Sequence, residues 1–275
     1  MAGEATHHWI MVLDVENFSS RRDPVQRRVR AAMYRALTGA MERAGLAVAD
    51  TVTEDRGDGV LMLVKPSVSP LLLAGPFVSE LDEELREYAE QSNAEHALRL
   101  RLALHQGLAA RDAHGWSGDA VNTACRLVDA QPLRDVLIAA PSARMVFAVS
   151  GEVHRGVIGH GHRGIDPAAY LPCAFTTKHG ETISSWITVP GYSAPPGLAQ
   201  PASPGRPAGP AATGSGGPAH APGTGDSAGQ PAPARGPRGG TEDRPTVWQH
   251  AETVQGDQIA HDKHVTIHTT GSVRP

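Results

Sequence analysis

In Trp9-Ile10-Met11-Val12-Leu13-Asp14-Val15, a run of apolar residues leads to a single carboxylate. A short continuous apolar run is typical of a strand that is buried on both faces of a sheet. The run therefore predicts a central strand with Asp14 near its end. A carboxylate in that position is a candidate functional residue, because a ligand can reach the end of a strand more easily than its middle.

Two further apolar segments lie on either side of an acidic turn. Residues 46–53 and 60–64 are separated by Glu54-Asp55-Arg56-Gly57-Asp58-Gly59. A turn that contains Asp-Gly between apolar segments indicates a β-hairpin. We therefore expect a hairpin with Asp58 at its tip, and pairing with the first strand would bring Asp58 to Asp14.

The rest of the segment from 8 to 190 alternates helix and strand patterns. Helices are predicted at 23–43, which starts with Asp-Pro and stops at a glycine, and at 77–93, 119–130 and 142–149. Strands are predicted at 98–105, where leucines alternate with other residues on a half-buried strand, and at 136–139, 171–177 and 184–189. This order predicts an α+β fold, a ferredoxin-like or palm-type α/β sandwich with a mixed, mostly antiparallel sheet.

Composition divides the chain of 275 residues into three parts. We expect a folded domain at 8–190, a disordered linker rich in Pro, Gly and Ala at 191–245, and a short β-prone tail at 246–275. In the tail, Val and Ile alternate with polar residues, which favours self-assembly or pairing with an effector. An unstructured, solvated end is the alternative.

Charge and cysteine content restrict the partners and the location. The net charge of −4 gives no reason to expect nucleic acid or an anionic membrane as a partner. Two distant cysteines, Cys125 and Cys173, indicate reduced thiols rather than a disulfide framework. The first residues do not have the pattern of a secretory signal, and the longest apolar stretch is too short to cross a bilayer. We therefore expect a soluble, cytoplasmic protein.

The two aspartates suggest chemistry with divalent cations. Mg²⁺ and Mn²⁺ prefer hard carboxylate oxygens, and such ions offset the charge of a reacting phosphate. Asp14 and Asp58 are sufficient for this role if both reach the same point. The alternative is a strand-end aspartate and an Asp-Gly turn that serve backbone geometry only.

A third stretch, Gly118-Asp119-Ala120-Val121-Asn122-Thr123-Ala124-Cys125-Arg126, lies in the predicted helix at 119–130. Residues four apart are neighbours on one helix face, so Asn122 and Arg126 project together, away from the apolar face. An amide can orient a ribose, and a guanidinium can offset charge on a phosphate. A solvated helix face is the alternative.

Together the three stretches resemble the catalytic domain of bacterial class III nucleotidyl (adenylate or guanylate) cyclases, and the resemblance covers about residues 9 to 190. These enzymes convert a nucleoside triphosphate to a 3',5'-cyclic nucleotide and pyrophosphate. The resemblance implies that Asp14 and Asp58 bind two Mg²⁺ or Mn²⁺ ions, and that Asn122 and Arg126 stabilise the transition state. It also implies a homodimer, in which one subunit contributes the aspartates and the other contributes the Asn and Arg.

The resemblance implies substrate-binding roles for further residues. Glu54 takes a base-reading position, where a carboxylate can accept two hydrogen bonds from guanine, so GTP is slightly favoured. An exposed hairpin charge is the alternative. The companion position is Gly115, which has no side chain to contribute. Arg163 and Lys178 are candidates for binding the triphosphate, although either could be an ordinary surface cation.

A second function stays open at this point. Gly115 and the lack of a clear triphosphate lysine favour a catalytically silent cyclase-like adaptor, which binds nucleotide or dimerises and recruits an effector through its C-terminal tail. A diguanylate cyclase is disfavoured, because Arg56-Gly57-Asp58-Gly59-Val60 differs from the Gly-Gly-Asp/Glu-Glu-Phe hairpin of that family.

Overall fold

The computed structural model describes residues 3–177 and 180–198. The strands are β1 (Thr6–Val15), β2 (Thr51–Asp55), β3 (Gly59–Val64), β4 (Leu100–Asp112), β5 (Gly115–Ser117), β6 (Met145–Ser150), β7 (Leu171–Thr176) and β8 (Thr182–Thr188). The helices are α1 (Asp23–Ala44), α2 (Pro70–Ala74), α3 (Pro76–Gln91), α4 (Asp119–Asp129), α5 (Gln131–Ala139) and α6 (Gly151–Gly156). Short 3₁₀ turns lie at Val48–Asp50, Ala94–His96, Ile158–His160 and Pro167–Ala169.

The strands form one mixed sheet in the order β2-β3-β1-β4-β6-β8-β7, and β5 pairs with the end of β4. Neighbouring strands are antiparallel except for the parallel pair of β4 and β6. The predicted α+β fold with a mixed, mostly antiparallel sheet is confirmed. The predicted hairpin is present as β2 and β3, and β3 pairs with β1.

Strand β1 is central because both of its faces are covered. Met11 and Leu13 point to the side of α1 and α3, whereas Ile10 and Val12 point to the side of α4. This alternation follows from the period of two in a strand. The apolar run that begins the sequence is therefore buried in two separate cores.

Helices α1 and α3 cover one face of the sheet and form the larger core. Met33 from α1 and Phe77 and Leu81 from α3 are fully buried there, together with Phe147 from β6. Helix α1 ends as predicted, because Gly45 has the left-handed backbone (φ 75°) that closes a helix. On the other face, α4 packs on β4 and β1, and α5 packs on β6.

Two predicted elements are wrong in type. The segment at 136–139, predicted as a strand, belongs to helix α5, which begins with Pro132 in its first turn. The segment at 142–149, predicted as a short helix, contains strand β6, whose six residues are all buried. A strand buried on both faces has no alternating pattern, so periodicity does not distinguish it from a buried helix.

Two other predictions need correction in extent. The first strand of the hairpin begins at Thr51 rather than at residue 46, because a 3₁₀ turn precedes it. Strand β4 begins at Leu100, continues to Asp112, and is buried on both faces from Leu100 to His105 rather than half-buried.

The linker predicted at 191–245 lies outside the described residues beyond position 198, and so does the whole tail predicted at 246–275. Within the described ranges, none of the helices combines the length and apolar character that a bilayer span requires.

Candidate active site

The ends of β1 and β3 place Asp14 and Asp58 at one edge of the sheet. Asp14 is directly opposite Gly59 in the antiparallel register of the two strands. The backbone N–H of Val15 donates a hydrogen bond of 3.0 Å to the carbonyl oxygen of Asp58. The two aspartates are therefore one register step apart on adjacent backbones. The structure brings together the two residues proposed from the sequence as metal ligands.

Two glycines hold the hairpin tip in this position for different reasons. Gly57 has a left-handed backbone (φ 83°), and its N–H donates a 2.7 Å hydrogen bond to the Asp55 carboxylate. At Gly59 the need is space, because a Cβ there would lie 2.1 Å from the carbonyl oxygen of Leu13. Any side chain at position 59 would push the hairpin, and with it Asp58, away from β1.

Asp58 is a partly desolvated carboxylate. Burial is the main cause of its raised pKa, the negative charge of Asp129 adds to the shift, and Arg134 opposes it. Four arginines near Asp58 pair with other carboxylates, namely Arg56 with Glu54, Arg99 with Glu16, Arg101 with Asp14 and Arg134 with Asp129. A divalent cation would offset the charge that burial disfavours at Asp58.

Arg101 is a component of this edge that the sequence analysis missed. It lies on β4 directly opposite Asp14, and its guanidinium forms an ion pair with the Asp14 carboxylate. Burial lowers the pKa of Arg101 to about 10, which is far above neutral, so the side chain stays charged. The sequence signal was an arginine at a polar position of the alternating pattern in β4. That pattern suggested a solvent-facing side chain, whereas in the structure this face of the sheet is covered and Arg101 is buried.

Asn122 and Arg126 lie on the side of α4 that faces away from the sheet. Val121, Ala124 and Leu127 are buried on the side of α4 that packs on β4 and β1, whereas Asn122 is exposed. Arg126 keeps about a third of its side chain exposed and donates a 2.7 Å hydrogen bond to the carboxylate of Glu181. Both groups thus lie on the side of α4 that is opposite to its buried contacts with the sheet.

Glu54 and Gly115, the two positions that the resemblance assigns to base reading, are in contact. The backbone N–H of Trp116 donates a 3.4 Å hydrogen bond to the Glu54 carboxylate, and the Arg56 guanidinium lies 3.7 Å from the same group. A Cβ at position 115 would lie 2.7 Å from Oε1 of Glu54. The carboxylate of Glu54 therefore fills the space that a side chain at position 115 would need.

The two candidates for triphosphate binding are Arg163 and Lys178. Arg163 is exposed in the loop that follows the 3₁₀ turn at Ile158–His160. The neighbouring Ile165 belongs to the core between the sheet and helices α1 and α3, opposite to the face of α4. The triphosphate-binding role of Arg163 stays a prediction, and Lys178 lies outside the described residues.

The donor set at the edge fits hard divalent cations. Asp14 and Asp58 supply carboxylate oxygens, and a cation, the Arg101 guanidinium, already lies against one of them. Within the ranges 3–177 and 180–198, no group of three or more His, Cys, Asp or Glu residues has the arrangement of a complete metal site. Mg²⁺ in phosphoryl-transfer sites is commonly held by one or two carboxylates together with substrate phosphates.

No protein-family model matches the sequence, and no curated protein sequence matches it. Among solved structures, the chain is similar to the guanylyl cyclase Cya2 (16% identity, TM-score 0.48, covering 69% of this chain and 94% of that one). It is similar to an adenylate/guanylate cyclase/hydrolase from Silicibacter pomeroyi (18%, 0.49, covering 68% and 98%). It is also similar to the guanylate cyclase domain of RhGC from Catenaria anguillulae in complex with GTP (16%, 0.44, covering 66% and 96%). These structures are nucleotidyl cyclases, the class whose motifs the sequence resembles.

Proposed function

We propose that the protein is a class III nucleotidyl cyclase that converts a nucleoside triphosphate to a 3',5'-cyclic nucleotide and pyrophosphate. The observation that carries the proposal is the position of Asp14 and Asp58 at one sheet edge, on backbones joined by the bond from Val15 to Asp58. The sequence motif at Asn122 and Arg126 supports it, because the structure presents both side chains on one accessible helix face.

In the reaction, the ribose 3'-hydroxyl loses its proton to solvent and its oxygen forms a bond to the α-phosphorus, while the bond from that phosphorus to the pyrophosphate oxygen breaks. Two bound Mg²⁺ or Mn²⁺ ions would supply Lewis-acid and charge stabilisation at the phosphates. Asp14 and Asp58 would hold these ions, and the bond from the Val15 N–H to the Asp58 carbonyl oxygen fixes the register of the two backbones. Asn122 orients the ribose, and Arg126 offsets negative charge on the phosphate that reacts.

We propose a homodimer with shared sites, because the accessible side of α4 faces away from the sheet of its own protomer. A second copy can receive Asn122 and Arg126 without any change in how α4 packs on the sheet. Arg126 must exchange its bond to Glu181 for a phosphate. Since both partners of that bond are partly exposed, the exchange costs little, typically about 1 kcal/mol or less.

GTP is the substrate that the residues around Glu54 favour. A carboxylate in this position can accept two hydrogen bonds from the edge of guanine, and adenine has no matching pair of donors. Glu54 is partly buried and held by Trp116 and Arg56, so its carboxylate is oriented rather than freely rotating. We include GTP preference in the proposal on this ground.

The first test incubates the full-length protein with each of the four ribonucleoside triphosphates and Mn²⁺, followed by mass analysis. The expected result is a cyclic nucleotide and pyrophosphate, with GTP the best substrate, and no product from Asp58→Ala. Metal-dependent triphosphate binding without turnover would instead favour the adaptor function.

The second test asks whether two protomers build one site. Asp58→Ala and Asn122→Ala should each be inactive alone, and an equal mixture should recover about a quarter of the wild-type rate. Half of the dimers are then mixed, and each mixed dimer has one intact site of two. A mixture that stays inactive, although size measurements show exchange of subunits, would rule out the shared site.

A further inference from the structure

Arg101 is a buried cation with one partner. The Arg101 residue is only 7% exposed, and the side chain of Asp14, which forms the ion pair with it, is 13% exposed. Water therefore screens the pair poorly, and the attraction between the two charges is strong at this depth.

Among the described residues, Arg101 forms no second ion pair besides the one with Asp14. Its Nε is buried without a hydrogen-bond partner. The other charges that act on it are Arg134, which repels it, and Asp129, which pairs with Arg134 at 3.2 Å. A change that takes Asp14 away from Arg101 would leave a buried charge unpaired, which proteins disfavour strongly.

The geometry points to a regulatory role for this pair, and the inference rests on the proposed role of Asp14 as a metal ligand. The Arg101 guanidinium pairs with the Asp14 carboxylate when no metal is bound. A divalent ion must therefore compete with Arg101 for this carboxylate. The metal site is consequently weaker than two free carboxylates would make it. Triphosphate, which brings its own negative charge and oxygen ligands, restores the affinity, so metal and nucleotide bind together rather than in sequence.

Asp58 makes the competition unequal between the two carboxylates. It is desolvated but does not share the ion pair that holds Asp14. An ion that approaches the edge therefore meets one carboxylate whose charge is uncompensated and one that is already neutralised. The neutralised carboxylate is that of Asp14, which the metal can bind only after Arg101 has moved away from it.

The test measures Mn²⁺ binding to the full-length protein without nucleotide, from the electron paramagnetic resonance signal of free Mn²⁺. Arg101→Gln should bind Mn²⁺ about tenfold more tightly or better, as expected when a like charge is removed from contact with the ligand. Its melting temperature should fall in EDTA and recover on adding Mn²⁺. Unchanged or weaker Mn²⁺ binding by Arg101→Gln would overturn the inference.

Two controls separate contact from general electrostatics. Arg134→Gln removes an equal charge nearby without touching Asp14 and should change the Mn²⁺ affinity less than about twofold. Arg101→Lys keeps the charge and should bind Mn²⁺ about as weakly as the wild type. A tenfold gain in Arg134→Gln as well would show that net charge, rather than displacement of Arg101, sets the affinity.

A measurement on the wild type covers the case in which Arg101→Gln does not fold. In a sample with ¹⁵N-labelled arginine, the guanidinium signal of Arg101, identified by its loss in Arg101→Lys, should move when Mg²⁺ is added. The signal of Arg99, which pairs with Glu16 instead, should stay in place. An Arg101 signal that does not respond to saturating Mg²⁺ would contradict displacement.

These outcomes are distinct from failure of the proposed function. If neither the wild type nor Arg101→Gln binds Mn²⁺, or if Asp58→Asn binds it as well as the wild type does, the metal site itself is wrong. If the wild type binds Mn²⁺, Asp58→Asn weakens binding and Arg101→Gln leaves it unchanged, only the role of Arg101 is wrong.

Discussion

The two faces of the sheet differ in what their side chains do. The face toward α1 and α3 carries one continuous apolar core, with Met33, Phe77 and Leu81 fully buried. The face toward α4 has a smaller apolar patch, and at its edge the strands carry a buried ion pair, Asp14 with Arg101. One sheet therefore separates the residues that stabilise the fold from those that we propose for chemistry. Strand β1 contributes to both groups because its successive side chains point to opposite faces of the sheet.

The largest expected effect tests the edge at the α4 face. Asp58→Asn keeps the size of the side chain but removes the charge, so formation of the cyclic nucleotide should fall at least about 10³-fold, or about 4 kcal/mol in the barrier. The melting temperature should change little. Asp129→Asn, at the same edge but not a proposed ligand, is the matched control, and retained activity in Asp58→Asn would break the assignment.

The opposite face should respond in stability instead. Phe77→Ala removes a fully buried ring from the core of α1 and α3 and should lower the free energy of unfolding by about 3–5 kcal/mol. Urea denaturation with an unchanged m-value measures this loss. At temperatures where the variant stays folded, its affinity for Mn²⁺ should equal that of the wild type. A large change in that affinity would mean that the two faces are not separate.

A smaller effect is expected where β2 meets β5. Gly115→Ala adds a Cβ that would lie 2.7 Å from the Glu54 carboxylate, at a backbone φ of 128°. Strain and overpacking should cost about 1–3 kcal/mol of stability. Glu54→Ser combined with Gly115→Ala should recover the part due to the clash, so the two changes should be non-additive in a double-mutant cycle. Additive losses would show that backbone strain alone is responsible.

The smallest expected effect concerns pH. Burial lowers the pKa of His105, which shares a 2.9 Å hydrogen bond with Ser150. Glu152 and Asp119 oppose the shift, and His7 adds to it. Because the unfolded chain binds a proton more readily than the folded one, stability is retained above pH about 6.5 and declines as the pH falls below it.

His105→Gln tests this dependence, since it removes the titrating ring. The variant should show a flatter profile of unfolding free energy between pH 7 and pH 5 than the wild type does. A wild-type slope that survives in the variant would assign the pH dependence to other groups.

The parts of the molecule that could be predicted from the sequence are those set by local pattern. The hairpin follows from turn residues between apolar segments, and α4 follows from its apolar face. Strand β6 was predicted as a helix because burial on both faces hides the period of a strand. The end of helix α5 was predicted as a strand because its residues 136–139 are all apolar. The ion pair of Arg101 with Asp14 was missed because it depends on pairing of β1 with β4, far apart in the chain, and on burial of the polar side of β4.

The tight turn between β2 and β3 fixes the spacing of two proposed site residues. Glu54, the proposed base reader, and Asp58, a proposed metal ligand, belong to the same hairpin, whose tip is locked by the Asp55 bond to Gly57 and by the close approach of Gly59 to Leu13. The backbone of one short loop therefore fixes the position of Asp58 relative to Glu54 and to β1. An insertion of one residue in this loop would move Asp58 relative to both without changing any of the side chains involved.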